Sequence, residues 1–129
     1  QTVDRIIDLF PSNQHDQVRS ALAINLRAIM AMRLLPRADG IGRVPACEVM
    51  FNTPAVRMLI KENRIPQLQT AIQQGREEGM QSFNDSLHDL IKAGLITLET
   101  GLEVSDNPED LQMMLQGIRL SSKRGGILR

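Results

Sequence analysis

The sequence predicts a mostly α-helical fold with one β-hairpin, and three observations carry that expectation. Apolar residues recur at i, i+3, i+4 and i+7 along most of the chain, the spacing of one helix face. The exception is RLLPRADGIGRVPACEVMF, where two apolar runs flank an Asp-Gly turn, which is a hairpin signal. With 129 residues, 42% of them hydrophobic, the chain has the length of one domain or part of one and the apolar surface for a core.

Val3, Ile6, Ile7 and Phe10 fall on one stripe of a first helix over about residues 1–10, which Pro11 ends. After the polar stretch SNQHD, Val18, Leu22, Leu26 and Ile29 repeat at helical spacing and predict a second helix of about 15 residues packed on the first. From Met32 the pattern changes to the hairpin, with Val49, Met50 and Phe51 favouring extended structure. Pro45 has no N–H to donate, so within the second strand it faces an edge or a bulge.

Beyond Asn52 the chain reads as helical. Thr53 as N-cap and Pro54 at the first helical position start a helix over about 54–62, where the missing proline donor costs nothing. Leu68, Ala71, Ile72 and Gly75 define a short helix. Phe83, Leu87, Leu90 and Ile91 define a longer one, with Ser82 and Asp85 as a capping pair and Gly94 closing it in the left-handed conformation. Thr97 caps a segment to about Ser105, and Asn107-Pro108-Glu109-Asp110 opens a last helix with acids beside its positive end. The stretch from Arg119 to Arg129 is basic, has no acids and is expected to be a frayed, solvated end. No internal repeat appears.

Composition narrows the function classes. Fifteen basic and fifteen acidic residues cancel, and there is no Trp or Tyr, so neither net charge nor base stacking supports a nucleic-acid partner. The lone Cys47 cannot form an internal disulfide, and no apolar run approaches the roughly 18 residues of a transmembrane segment. A cytoplasmic protein is expected. The chain opens at Gln1 inside an amphipathic pattern, without Met or a signal-peptide layout, which suggests a fragment.

No catalytic constellation is visible. None of the nine glycines lies in a P-loop arrangement, SSKRGG at 121–126 has the ingredients in the wrong order, and no apolar strand ends in paired acids. His15, His88 and Cys47 lack metal-ligand spacing, so no metal site is expected, the histidines being surface or helix-end residues and Cys47 an inert thiol. Two segments stand out. In LLPRADGIGRVPACEVM, Arg37, Asp39 and Arg43 crowd a turn containing Gly40 and Gly42; this is either a tight hairpin with a local ion pair or an arginine facing a nucleotide or a neighbouring subunit. In TPAVRMLIKE, Val56, Leu59 and Ile60 form a core stripe, while Arg57 and Lys61 share another face as i and i+4 neighbours. That face is either simply solvated or a docking surface for an acidic partner.

These segments, with QTVDRIIDLFP and GMQSFNDSLHDLIKAGLIT, resemble the C-terminal part of the PilT family of type IV pilus retraction (twitching motility) ATPases, within the secretion ATPase superfamily, from about Gln1 to Leu115. AVRMLIKE looks like the family's retraction element: Ala55, Val56, Arg57, Leu59, Ile60 and Glu62 agree, whereas Met58 replaces Asn and Lys61 replaces Arg. The resemblance implies an α/β family fold, with residues 1–52 as the last part of a RecA-like P-loop ATPase domain. It further implies a helical C-terminal region over 53–118 carrying the retraction motif, and a basic flexible tail over 119–129. It implies a homo-hexamer, peripheral at the inner-membrane base of the pilus, acting on a platform protein and coupling ATP hydrolysis to pilus disassembly. ATP and Mg would belong to the full-length protein, because the family's Walker motifs precede the point matching Gln1; the fragment alone would bind neither and would not hydrolyse ATP. Gly40 and Gly42 would permit the hairpin turn, and Arg37 or Arg43 would lie near the nucleotide cleft or a subunit interface. The rival reading is a freestanding helical interaction module without ATPase activity. A pilus-assembly or type II secretion ATPase ranks lower, because the zinc element common in those proteins needs more than Cys47.

Overall fold

The first helix, α1 (Thr2–Asp8), buries Val3 and Ile7 one turn apart. The computed structural model describes residues 2–127, apart from the side chains of 118–127. α1 ends sooner than the apolar stripe suggests, and Phe10 is exposed rather than in the core. Pro11 disfavours helical backbone at Phe10. The chain therefore tightens into i→i−3 bonds, Leu9 N–H to the Ile6 carbonyl and Phe10 N–H to the Ile7 carbonyl.

α2 (His15–Asn25) is also shorter than expected, for a different reason. Leu26 turns extended, with ψ 136°, and Ile29 belongs to strand β1 (Ala28–Pro36) rather than to the helix. Both side chains still pack against the same core, so the sequence period is satisfied by a helix followed by a strand. The Asn52 amide holds the helix end by donating to the carbonyls of Ala23 and Leu26, at 3.0 and 2.6 Å.

β1 pairs with β2 (Arg43–Phe51) in a two-stranded antiparallel hairpin, as expected. Its turn uses two left-handed glycines, Gly40 with φ 76° and Gly42 with φ 77°. The Gln81 side chain and backbone extend the free side of β2, with the amide donating to the Cys47 carbonyl at 2.7 Å and the Val49 and Gln81 backbones exchanging two bonds.

The remaining elements are α3 (Pro54–Lys61), α4 (Leu68–Gln74), α5 (Phe83–Lys92), α6 (Leu98–Val104) and α7 (Pro108–Ile127). Their starts and stops follow local chemistry. Gly94, φ 74°, closes α5 by donating to the Ile91 carbonyl while Leu95 N–H reaches Leu90. Thr97 Oγ1 accepts from Thr100 N–H at 3.1 Å, and Asn107 Oδ1 accepts from Asp110 N–H at 3.2 Å. The backbone of α7 continues through Ile127, past the point where the sequence suggests fraying; the side chains beyond Gly117, and residues 128–129, lie outside those described.

By packing, the chain forms two compact units that interleave along the sequence: Gln1–Ala31 with Cys47–Ser82, and Met32–Ala46 with Phe83–Arg129. The first is built on Val3, Ile7, Met50, Val56, Ile60, Leu68 and Ile72. The second is built on Leu35, Ala46, Phe83, Leu87, Ile96 and Leu111. Within the second, buried Asn84 accepts from Ser105 Oγ at 2.6 Å and donates to the Asn107 carbonyl and the Asp110 carboxylate, joining α5 to the start of α7. Arg33 lies 4.9 Å from the centre of the Phe83 ring and donates to the Val104 carbonyl.

Candidate functional site

α3 carries the candidate retraction motif, and its ends are fixed locally. Thr53 Oγ1 accepts from Val56 N–H at 3.3 Å, and Pro54 occupies the first turn. At the other end Asn63 takes the left-handed conformation, φ 57°, and Arg64 N–H returns to the Leu59 carbonyl at 2.8 Å. Asn just past the last apolar residue of a helical pattern is a stop signal, and it places this cap. The Arg64 guanidinium adds bonds to Glu62 and to Gln67 Oε1 at 3.3 and 2.9 Å.

The helix sorts its residues by face. Val56 and Ile60 are 0% exposed and Leu59 8%, while Ala55, Arg57, Met58, Lys61 and Glu62 face solvent, Met58 at 50%. Among the described residues neither Arg57 nor Lys61 has an ion-pair partner. The outer face therefore presents two uncompensated cations with an apolar thioether beside them. Asn52, which sequence reasoning did not single out, supports this helix by tying the chain just before it to the end of α2.

The hairpin turn is built from within. Asp39 accepts from Ile41 N–H at 2.9 Å and from the Arg37 guanidinium at 3.2 Å, and Gly40 N–H donates to the Arg37 carbonyl at 3.0 Å. The Ile41 bond, with Arg37 adding to it, holds the Asp39 carboxyl below its ordinary range. Arg37 and Asp39 thus form the local ion pair, whereas Arg43 is exposed and has no partner among the described residues. The Ile41 and Gly40 amides are already bonded, so the turn does not offer them to a phosphate, and it does not fit a nucleotide cradle by itself.

The remaining candidates stay apart from both segments. His15 begins α2, with Nε2 2.8 Å from the Phe10 carbonyl oxygen. His88 lies mid-way along α5 with its side chain only 16% exposed, neither at a helix end nor on the surface. Its Nδ1 contacts the Asp89 carboxylate, and its buried Nε2 has no partner. Cys47 is a half-buried thiol in β2. Among the described residues no cluster of His, Cys, Asp and Glu has the form of a metal site, and no helix is long and apolar enough to cross a membrane.

No family model matches the chain. It is 41% identical over 111 residues to a twitching motility protein of Neisseria gonorrhoeae, a match covering 86% of this chain and 30% of that protein. It is 39% identical over 116 residues to the type IV pilus ATPase PilU of Pseudomonas aeruginosa, covering 90% of this chain and 30% of PilU. The structure is similar to that of the pilus retraction motor PilT with bound ADP, with a TM-score of 0.73 and 42% identity, covering 86% of this chain and 30% of that one. Legionella pneumophila DotB, an ATPase, shares the fold at TM-score 0.59 and 17% identity. The chain spans about 30% of the length of the curated relatives it matches. Sequence and fold agree that the chain belongs to the PilT family of type IV pilus ATPases, whose α/β fold its helices and hairpin match in part.

Proposed function

We propose that this chain is the output end of a hexameric ATPase that powers type IV pilus retraction and twitching motility, at the inner-membrane base of the pilus. ATP and Mg belong to the motor's P-loop, a motif these 129 residues do not contain, and the hairpin turn, its amides already bonded, is not a second phosphate cradle. Residues 1–52 complete the nucleotide-binding domain, 53–118 form the helical region that moves, and 119–129 form a basic tail. ATP turnover elsewhere shifts rigid bodies, and α3 passes the shift to a neighbouring subunit or to the platform protein. Arg37 sets the hairpin turn through Asp39, which leaves Arg43 as the arginine that faces the nucleotide cleft or the subunit interface.

The observation that carries this reading is the division of α3: a stripe sealed into the core, and an opposite face with Arg57 and Lys61 unpaired. Such a face transmits force to something outside the fold while the stripe keeps the lever rigid. Its test is Arg57→Ala in the full-length ATPase. Folding stays within about 0.5 kcal/mol of the parent, as for an exposed residue, ATP hydrolysis persists, and pilus retraction slows. Retraction at the parental rate would overturn the reading.

A further inference from the structure

Charge in this chain is segregated although its sum is zero. From Leu111 to Arg129 there are four cations, Arg119, Lys123, Arg124 and Arg129, and no acid, which leaves eleven basic against fifteen acidic residues in the first 110. Three of the four lie in α7, whose helical backbone runs to Ile127. At about 100° per residue, Arg119, Lys123, Ile127, Leu120 and Arg124 fall in that order within an arc of about 140°, and Ile118, Ser121, Ser122, Gly125 and Gly126 take the opposite arc. The first arc continues the side of α7 on which Gln112, Met113 and Gln116 are exposed, Met113 at 66%. The second continues the side of buried Leu111 and of Leu115, which packs on the core. Met113, Leu120 and Ile127, seven residues apart, thus form an apolar stripe on the outer side, with Arg119 and Lys123 along one edge and Arg124 along the other. The nearest acid on that side, Glu109, comes ten residues before Arg119, about 15 Å along the axis.

A stripe that is apolar along its middle and cationic along both edges matches the boundary between lipid headgroups and acyl chains, where the edges meet phosphate and the stripe leaves water. We infer that the outer side of α7 from Met113 to Ile127 docks on the anionic lipid surface of a membrane. The inference deepens the placement at the inner-membrane base proposed above and names what is met there. A second copy would bring the same cations and repel. A nucleic acid would find no Trp or Tyr to stack on. Three apolar residues bind a bilayer weakly by themselves, and each cation next to an anionic leaflet adds about fivefold within the screening length. The attachment is therefore reversible and salt-dependent.

The test is cosedimentation of the full-length ATPase that carries this chain with vesicles of phosphatidylglycerol and phosphatidylethanolamine, and with vesicles of phosphatidylcholine. Three variants, checked for folding by circular dichroism, accompany the parent: Arg119→Gln/Lys123→Gln/Arg124→Gln, Arg119→Lys/Arg124→Lys, and Leu120→Gln/Ile127→Gln. The parent binds the anionic vesicles alone, and less as NaCl rises. The triple glutamine variant binds about a hundredfold less, the loss of three such cations. The lysine variant binds like the parent, because a lipid surface meets charge rather than a planar fork, and Leu120→Gln/Ile127→Gln binds about tenfold less. A parent that ignores anionic vesicles, or a triple glutamine variant that binds like the parent, overturns the inference. So does binding that inorganic phosphate removes at matched ionic strength, which marks a free phosphate site, or loss of binding in the lysine variant, which marks a shaped site on a protein. A fluorescent fusion of the parent found away from the cell envelope instead removes the placement at the pilus base and leaves the vesicle result standing.

Discussion

Replacing Asn52 by alanine removes a side chain that ties the end of α2 to the start of α3. Its amide donates to the Ala23 carbonyl at 3.0 Å and the Leu26 carbonyl at 2.6 Å. Each such bond contributes about 0.5–1.5 kcal/mol net, so losing both costs about 1–3 kcal/mol. Alanine also removes Oδ1, a buried acceptor without a partner, and relief of that desolvation returns about 1 kcal/mol. The net expectation is a loss of about 0–2 kcal/mol.

Asn52→Asp separates this account from simple loss of packing. It keeps the side-chain shape but aims a carboxylate oxygen at two carbonyl oxygens, so at neutral pH it costs more than alanine, above about 3 kcal/mol. Protonation of that carboxyl at acid pH restores a donor and narrows the gap. Urea unfolding gives the stabilities, and hydrogen exchange at Leu26 and Val56 shows whether the loosening is local to α2 and α3. An aspartate variant no worse than alanine at neutral pH, or an alanine variant more stable than the parent, refutes the capping argument.

Leu59→Ala, on the buried stripe, lowers stability by about 2–4 kcal/mol in urea melts; a loss no greater than that of an exposed residue such as Arg57 would contradict the assigned faces. Gly94→Ala costs about 1–2 kcal/mol through backbone strain alone, because an added Cβ meets nothing within 4 Å at φ 74°. Gly94→Asn costs less, and thermal melts that rank the two in reverse order would dismiss the left-handed cap. The Asp39 carboxyl titrates below its ordinary value of 3.8, chiefly because Ile41 N–H and then Arg37 bond its charged form. A depressed folded pKa means that the turn's stabilisation is complete above the ordinary value and is lost as pH falls through the lower folded one. A carboxyl carbon-13 titration midpoint at or above the ordinary value would remove this argument.

The helix starts were legible because their causes are local. Thr53-Pro54, Thr97 and Asn107-Pro108 each carry the cap and the first turn within a few residues, and Gly94 carries a stop in the same way. The hairpin was legible for the same reason, since Asp39, Gly40 and Gly42 define its turn. The end of α2 was not. Leu26 and Ile29 keep the helical period and pack on the core, but they do so from extended backbone, and the group that caps the helix comes from Asn52, distant in sequence. Phe10 leaves the apolar stripe for a local cause, the conformational pressure of Pro11 on its predecessor. At the candidate site the buried stripe of α3 followed from spacing, whereas the division of labour between Arg37 and Arg43 depends on side-chain geometry around Asp39 and has no sequence signal.

The energetics of α3 explain why its outer face is open to change. Removing Val56, Leu59 and Ile60 from water contributes about 1.5–3 kcal/mol for each side chain, and all three are sealed or nearly so. Repulsion between Arg57 and Lys61 costs the helix only about 0.2–0.5 kcal/mol. The inner stripe therefore decides whether and where the helix forms, and the outer face can carry like charges against a small penalty. Met58 and Lys61, the two positions at which the chain differs from the proposed retraction element, both lie on that outer face. Neither is constrained by the fold. What they alter is what a partner meets: an apolar thioether at Met58, and at Lys61 a point charge in place of a planar two-pronged guanidinium. A change at either position therefore alters what a partner of this face would meet while costing the fold little, which is why retraction rather than stability is the readout that tests the proposed output role of α3.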